Sequence, residues 1–137
     1  RDAIIKAVND GVITVIATDH APHARDEKSK PIDKAPFGII GLQHAFPLIY
    51  TYIVEEGLIK LETVLDCLTT GPAKTLNLDA SIEEGMKADL CAFDLNTEYT
   101  IKEEDLKSKA CNTPFLGWKV KGALIMNIVD GQLLVEE

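Results

Sequence analysis

The residues best placed to do chemistry in this chain lie close together, in the run Thr18-Asp19-His20-Ala21-Pro22-His23. Asp19 comes straight after Val12-Ile13-Thr14-Val15-Ile16-Ala17, a short, continuous β-branched run. Such a run predicts a strand buried on both faces, as in parallel sheets. A carboxylate at the C-terminal end of that strand can ligate a metal or carry a proton. In a parallel α/β barrel these strand ends line the active site. His23, in a loop stiffened by Pro22, can orient a substrate carboxylate or act as a ligand. The plainer alternative makes Asp19 a helix cap or loop residue and the two histidines ordinary polar loop groups. Two nearby histidines, the Ala-Pro between them, the charged loop that follows and the glycines beyond it weigh toward a site.

Several elements must hold this cluster. Arg1 to Asn9 predicts an amphipathic helix with Ile4, Ile5 and Val8 on one side, stopped by Asp10-Gly11. Helix followed by strand suits an α/β fold. Ala21 to Pro36 reads as a polar loop containing Pro22, Pro31 and Pro36, and loops of this length are often functional. Gly38 and Gly41 frame the start of a helix over 42–56, which Pro47 should kink or split. Gly57 ends it. Lys60 to Thr69 predicts another helix, with Leu61, Val64, Leu65 and Leu68 as its apolar face, and a third short helix starts from Pro72.

The character changes near Ser81. Strands are predicted over 88–94 and 120–129, then a hairpin turn at Asp130-Gly131 and a returning strand over 132–135. A boundary between Asn77 and Ile82 divides the chain into 1–78 and 79–137.

Composition narrows the classes. The 137 residues carry a net charge of −8, which argues against nucleic-acid binding. No apolar run is long enough for a transmembrane helix, and the N-terminus has no signal-peptide pattern. Cys67, Cys91 and Cys111 form no CxxC pair and read as small apolar core residues of a cytosolic protein. Arg1 opens directly into a helix-like segment, so a longer parent protein is expected.

Ala17-Thr18-Asp19-His20-Ala21-Pro22-His23, with Glu27-Lys28 after it, resembles the last barrel motif of dihydroorotases, and Pro36-Phe37-Gly38-Ile39-Ile40-Gly41-Leu42-Gln43 resembles the segment that follows it. Glu84-Gly85-Met86-Lys87-Ala88-Asp89-Leu90 resembles the sandwich-domain turn and strand common to the amidohydrolase superfamily. Asn112-Thr113-Pro114-Phe115 and Val129-Asp130-Gly131 are similar to the closing segment.

The resemblance implies an α/β fold. It would be the C-terminal fragment of a (β/α)8 amidohydrolase barrel, holding the last strand and its helices, plus the C-terminal strands of a small β-sandwich. It implies zinc-dependent, reversible cyclisation of N-carbamoyl-L-aspartate to dihydroorotate in pyrimidine biosynthesis. Asp19 would ligate zinc, take a proton from the attacking hydroxide and pass one to the leaving amide nitrogen. His23 would contact the substrate carboxylate, and the backbone of Phe37 and Gly38 would hold the pyrimidine ring. His20 is expected to make a structural hydrogen bond, and His44 to be packed or surface-exposed. Trp118 is expected in a core or domain contact, and the acidic groups at Glu83-Glu84 and 103–105 on solvated faces.

The family's other zinc ligands, a His-x-His pair among them, are not in this sequence. The fragment alone is therefore expected to be inactive and to bind zinc weakly or not at all. Expected partners are the small-molecule substrate, a second copy of the chain, and an aspartate transcarbamoylase. Two alternatives stay open: a hydantoinase- or allantoinase-type cyclic amidase, and a non-catalytic dihydroorotase-like partner of a transcarbamoylase.

Overall fold

The fold is described from a computed structural model covering residues 1–136. Five short α-helices come first: α1 Asp2–Asn9, α2 Arg25–Lys28, α3 Ala45–Ile49, α4 Leu61–Leu68 and α5 Thr70–Leu76. A π-helical turn, Tyr50–Val54, extends α3 directly. Three strands follow, β1 Leu90–Thr100, β2 Lys119–Val129 and β3 Gln132–Glu136, forming an antiparallel sheet in that order.

The helical half packs around Val8, Ile59, Val64 and Cys67, with Ile5, Ile13, Ile16, Ile49 and Ile53 against them. The expected helices of this half form because their apolar residues recur at helical spacing. In α4 the buried positions are Val64 and Cys67. Leu65, expected on the apolar face, is exposed instead. Ile4 of α1 is likewise exposed, and Val8 carries the contact. Pro72 lies in the first turn of α5, and Asn77 ends that helix in the left-handed conformation, φ +55.

Two expectations are corrected here. Residues 12–17 form no strand. Val12 is 77% exposed. The run is tied in by the Ile16 N–H, which donates to the Cys67 carbonyl at 2.9 Å, and by the α5 turn at Gly71. A parallel strand needs a neighbour to complete its ladder, and none of the described residues lies alongside this run as a strand. Pro47 neither kinks nor splits a long helix. The helix begins only at Ala45, so Pro47 sits in its first turn, where its missing N–H would have had no helical partner. Thr51 Oγ1 donates to the Pro47 carbonyl at 2.8 Å as the π turn begins.

The sheet is longer than expected at β1 but keeps the predicted hairpin. Asp130 (φ +56) and Gly131 (φ +76) give the double positive φ of a two-residue hairpin turn. Residues 77–89 contain neither helix nor strand. The sheet rests on α3: the Phe46 and Phe93 ring centres are 4.3 Å apart. A Cβ at the buried Gly122 would lie 3.2 Å from the Phe46 ring, so glycine is what lets β2 come this close. The Lys121 N–H donates to Thr51 Oγ1 at 2.8 Å, and Tyr52 Oη donates to the Lys119 carbonyl at 2.8 Å. Trp118 meets Tyr52 and Phe115 edge-on, which makes it a contact between the sheet and the π turn.

Cys67 is buried as expected, but Cys91 is exposed and Cys111 half-buried. Cys91 lies on the edge strand β1 and lines the open cavity shared with His44 and Phe93, which leaves it accessible.

Candidate functional site

The site is built from two chain segments, 18–24 and 36–42, lying side by side. A parallel bridge joins His20 to Ile39, and the Ala21 N–H donates to the Ile39 carbonyl at 2.9 Å. His20 Nδ1 accepts the N–H groups of Gly41 at 3.1 Å and Leu42 at 3.3 Å. That is the structural hydrogen bond expected of His20, and it puts the ring proton on Nε2. A Cβ at Gly41 would lie 3.0 Å from the Thr18 carbonyl oxygen, so the two segments close together only over a glycine.

Asp19 stands at the head of this pair with φ +46, a left-handed conformation uncommon for a residue other than glycine. Its carboxylate is exposed and has no hydrogen-bond partner among the described residues. Off-region backbone at a loop tip with an uncommitted carboxylate fits a group kept for an external partner.

His23 is held from three sides. Its Nε2 donates to the Phe37 carbonyl at 2.8 Å, its backbone N–H donates to Asn112 Oδ1 at 3.2 Å, and its Nδ1 lies 3.7 Å from Glu27 Oε2. Glu27 in turn accepts the Ala24 N–H at 3.0 Å, capping the short α2. With Nε2 committed to a carbonyl, Nδ1 is the ring position turned toward charge.

The structure brings Phe37 and Gly38 beside His23. Gly38 has φ +105, and a Cβ there would lie 2.5 Å from the Ala21 Cβ, so no side chain fits. Both carbonyls are engaged within the chain: Phe37 with His23, and Gly38 with Lys28 Nζ at 3.2 Å and Asn112 Nδ2 at 3.2 Å. Among the described residues no acceptor meets the N–H groups of Phe37 and Gly38. The Phe37 ring is 93% exposed.

Two residues of this site carried no assigned role in the sequence reading. Lys28 Nζ also donates to the Pro36 carbonyl at 2.9 Å, closing the base of the 24–38 loop. That loop is not wholly irregular, since α2 interrupts it. Asn112 reaches in from the connection between β1 and β2. Both belong to quoted motifs, Glu27-Lys28 and Asn112-Thr113-Pro114-Phe115, but a motif does not say which backbone groups a side chain will meet.

His44 is packed, 9% exposed. It lines a cavity of about 530 Å³ with His20, Gly41, Phe93 and Lys107. Burial holds its pKa below the ordinary imidazole value, against the opposing pull of Asp105.

No group of three or more His, Cys, Asp or Glu side chains stands together to hold a metal among the described residues. Asp19 offers one carboxylate, which does not make a zinc site. Nor is any helix of the described residues long and apolar enough to cross a membrane.

The chain is 50% identical over 137 residues to the dihydroorotase of Staphylococcus aureus, a match covering 99% of this chain and 32% of that protein. It is 47% identical over 138 residues to the dihydroorotase of Staphylococcus epidermidis, covering 100% of this chain and 32% of that protein. The chain thus spans about a third of the length of these relatives. Its fold is similar to dihydropyrimidinase from Brevibacillus agri, with TM-score 0.90 and 24% identity over 98% of this chain and 31% of that one. It is similar also to L-hydantoinase (dihydropyrimidinase) from Arthrobacter aurescens, with TM-score 0.88 and 27% identity over 97% of this chain and 31% of that one. Residues 1–134 match the Amidohydrolase family, and the chain belongs to that family.

Proposed function

We propose that the protein carrying this chain is a dihydroorotase. It interconverts dihydroorotate and N-carbamoyl-L-aspartate, a step of pyrimidine biosynthesis. One observation supports this reading most: the His23 ring, between Glu27 and the Phe37 carbonyl, lies against the Phe37-Gly38 segment, whose N–H groups meet no acceptor among the described residues. An imidazole beside free backbone donors suits a cyclic amide that bears a carboxylate. In the ring-opening direction, water adds to the ring carbonyl and the bond from that carbon to the ring nitrogen breaks. Asp19 takes the proton from the water and delivers it to the leaving nitrogen.

The same proposal divides the chain into 1–78, the end of a (β/α)8 barrel whose last strand is 12–17, and 79–137, the end of a β-sandwich. Strand 12–17 would then find its ladder partners in barrel strands outside this chain. A zinc requirement, a cytoplasmic location, a homo-oligomer and a transcarbamoylase partner belong to the proposal too. Asp19 would be one zinc ligand, and the remaining ligands would lie outside these 137 residues.

A second reading, a hydantoinase-type cyclic amidase, is favoured by the likeness to the solved hydantoinase structures. The substrate carboxylate separates the two. A charge-assisted contact contributes about 1.5–3 kcal/mol, so kcat/KM for dihydroorotate should exceed that for dihydrouracil, which lacks the carboxylate, by about tenfold or more. A spectrophotometric ring-opening assay of the complete protein with both substrates and hydantoin measures this. Equal or faster turnover of dihydrouracil or hydantoin would put the protein with the hydantoinases.

A further inference from the structure

We propose that Asn112 is a positioning residue, which sets the distance between the His23 side of the site and the Gly38 side. The inference rests on the dihydroorotase reading for its substrate, but not for its geometry. Asn112 uses its whole amide. Oδ1 accepts the His23 N–H at 3.2 Å, and Nδ2 donates to the Ala21 carbonyl at 2.9 Å and the Gly38 carbonyl at 3.2 Å. Its own carbonyl accepts the Ile40 N–H at 3.1 Å. One residue therefore fixes both segments of the site, from a position 74 to 91 residues away in sequence.

The connection that carries Asn112 is itself fastened to the same loops. Gln43 Nε2 donates to the Asp105 carbonyl at 2.9 Å, and the Lys107 N–H donates to Gln43 Oε1 at 2.8 Å. Arg25 of α2 pairs with Glu103 on the short turn Glu103–Asp105. The connection between β1 and β2 thus lies along the site as a brace, and Asn112 is where the brace meets the backbone of the site. Asn112 is only half-buried, so its role is not to fill a core.

Asparagine is chemically specific here. Alanine would leave the Ala21 and Gly38 carbonyls and the His23 N–H without their partner. Aspartate would keep the acceptor for His23 but set a carboxylate against two carbonyl oxygens, so it is no conservative replacement. Loss of the brace displaces His23 relative to Gly38, and misplacement on the scale of about 1 Å is enough to cost about 10²-fold in a preorganised site.

The test uses the complete protein with Asn112→Ala and Asn112→Asp. For Asn112→Ala, KM for dihydroorotate rises about tenfold or more while kcat changes by less than about threefold. Amide hydrogen exchange quickens at 21–23 and 38–41 and stays as in wild type in α4 and across the β1–β2 ladder. In a His23→Ala background the further Asn112→Ala change raises KM by less than about threefold, because the two residues act through one contact. Asn112→Asp quickens exchange at 38–41 while sparing His23, and it carries the test should the alanine variant not accumulate.

Unchanged exchange at 21–23 and 38–41 would overturn the proposal. So would exchange quickened equally in α4 and the sheet, or a KM effect fully additive with His23→Ala. A wild-type protein without dihydroorotate turnover would instead sink the substrate reading, and the exchange pattern alone would then decide the role of Asn112.

Discussion

Replacing Asp19 with asparagine in the complete protein lowers kcat for dihydroorotate by about 10³-fold, with KM little changed and the thermal transition kept. The size follows from removing a proton carrier, which is worth about 10²–10⁴ in rate. Asparagine has nearly the same shape but no carboxylate to take or return a proton. The substitution is clean for two structural reasons. The Asp19 carboxylate has no hydrogen-bond partner among the described residues, so within them no contact is lost, and the one loss expected beside the proton carrier is the zinc ligand it would supply. Its backbone has φ +46, and asparagine occupies that left-handed region as readily as aspartate. Steady-state kinetics beside a circular-dichroism melt check the result. Activity within about tenfold of wild type would remove Asp19 from the chemistry; a wild-type protein without turnover would favour a non-catalytic partner of a transcarbamoylase.

The second large effect is on stability. Gly71→Ala destabilises the fold by about 3 kcal/mol or more. A Cβ at Gly71 would overlap the Thr14 carbonyl oxygen and lie 3.0 Å from the Asp66 carbonyl oxygen. Both neighbours are backbone, so neither can swing aside. Gly71 sits near the start of α5, outside the positive-φ glycines. Alanine there is conformationally allowed, and intrinsic helix propensity alone would favour it by about 1 kcal/mol. The sign of the change therefore separates packing from propensity. The consequence reaches the site, because Thr14 lies in the run that delivers Asp19. A urea titration measures it: a lower midpoint at unchanged slope is the expected result. A midpoint at or above wild type would show that α5 does not press on this run.

The parts of the fold that were legible in the sequence are those set by local rules. The helix period marks α1 and α4, and Pro72 marks the first turn of α5. Asp130-Gly131 supplies the positive φ values of its hairpin turn. Residues 12–17 read as a strand because β-branched residues favour one, but a strand is a property of pairs, and the described residues offer this run no neighbour. Pro47 read as a break because the helix was taken to begin at Leu42; a start at Ala45 turns the same proline into a first-turn residue.

The candidate site divides in the same way. Asp19, His23, Phe37 and Gly38 sit in two short runs that could be recognised directly, and the expected hydrogen bond of His20 is present. Asn112 and Lys28 make side-chain bonds to backbone carbonyls, which leave no spacing pattern behind. Asn112 is 89 residues from the histidine that it holds.

The most direct measurement compares kcat/KM for dihydroorotate with kcat/KM for dihydrouracil, in the complete wild-type protein and in His23→Ala. If His23 reads the substrate carboxylate, the wild type prefers dihydroorotate and His23→Ala loses about 10- to 100-fold of that preference, the equivalent of one charge-assisted contact. Dihydrouracil turnover stays near the wild-type value, because that substrate never used the contact. A preference for dihydroorotate that survives His23→Ala unchanged would contradict the account at its centre.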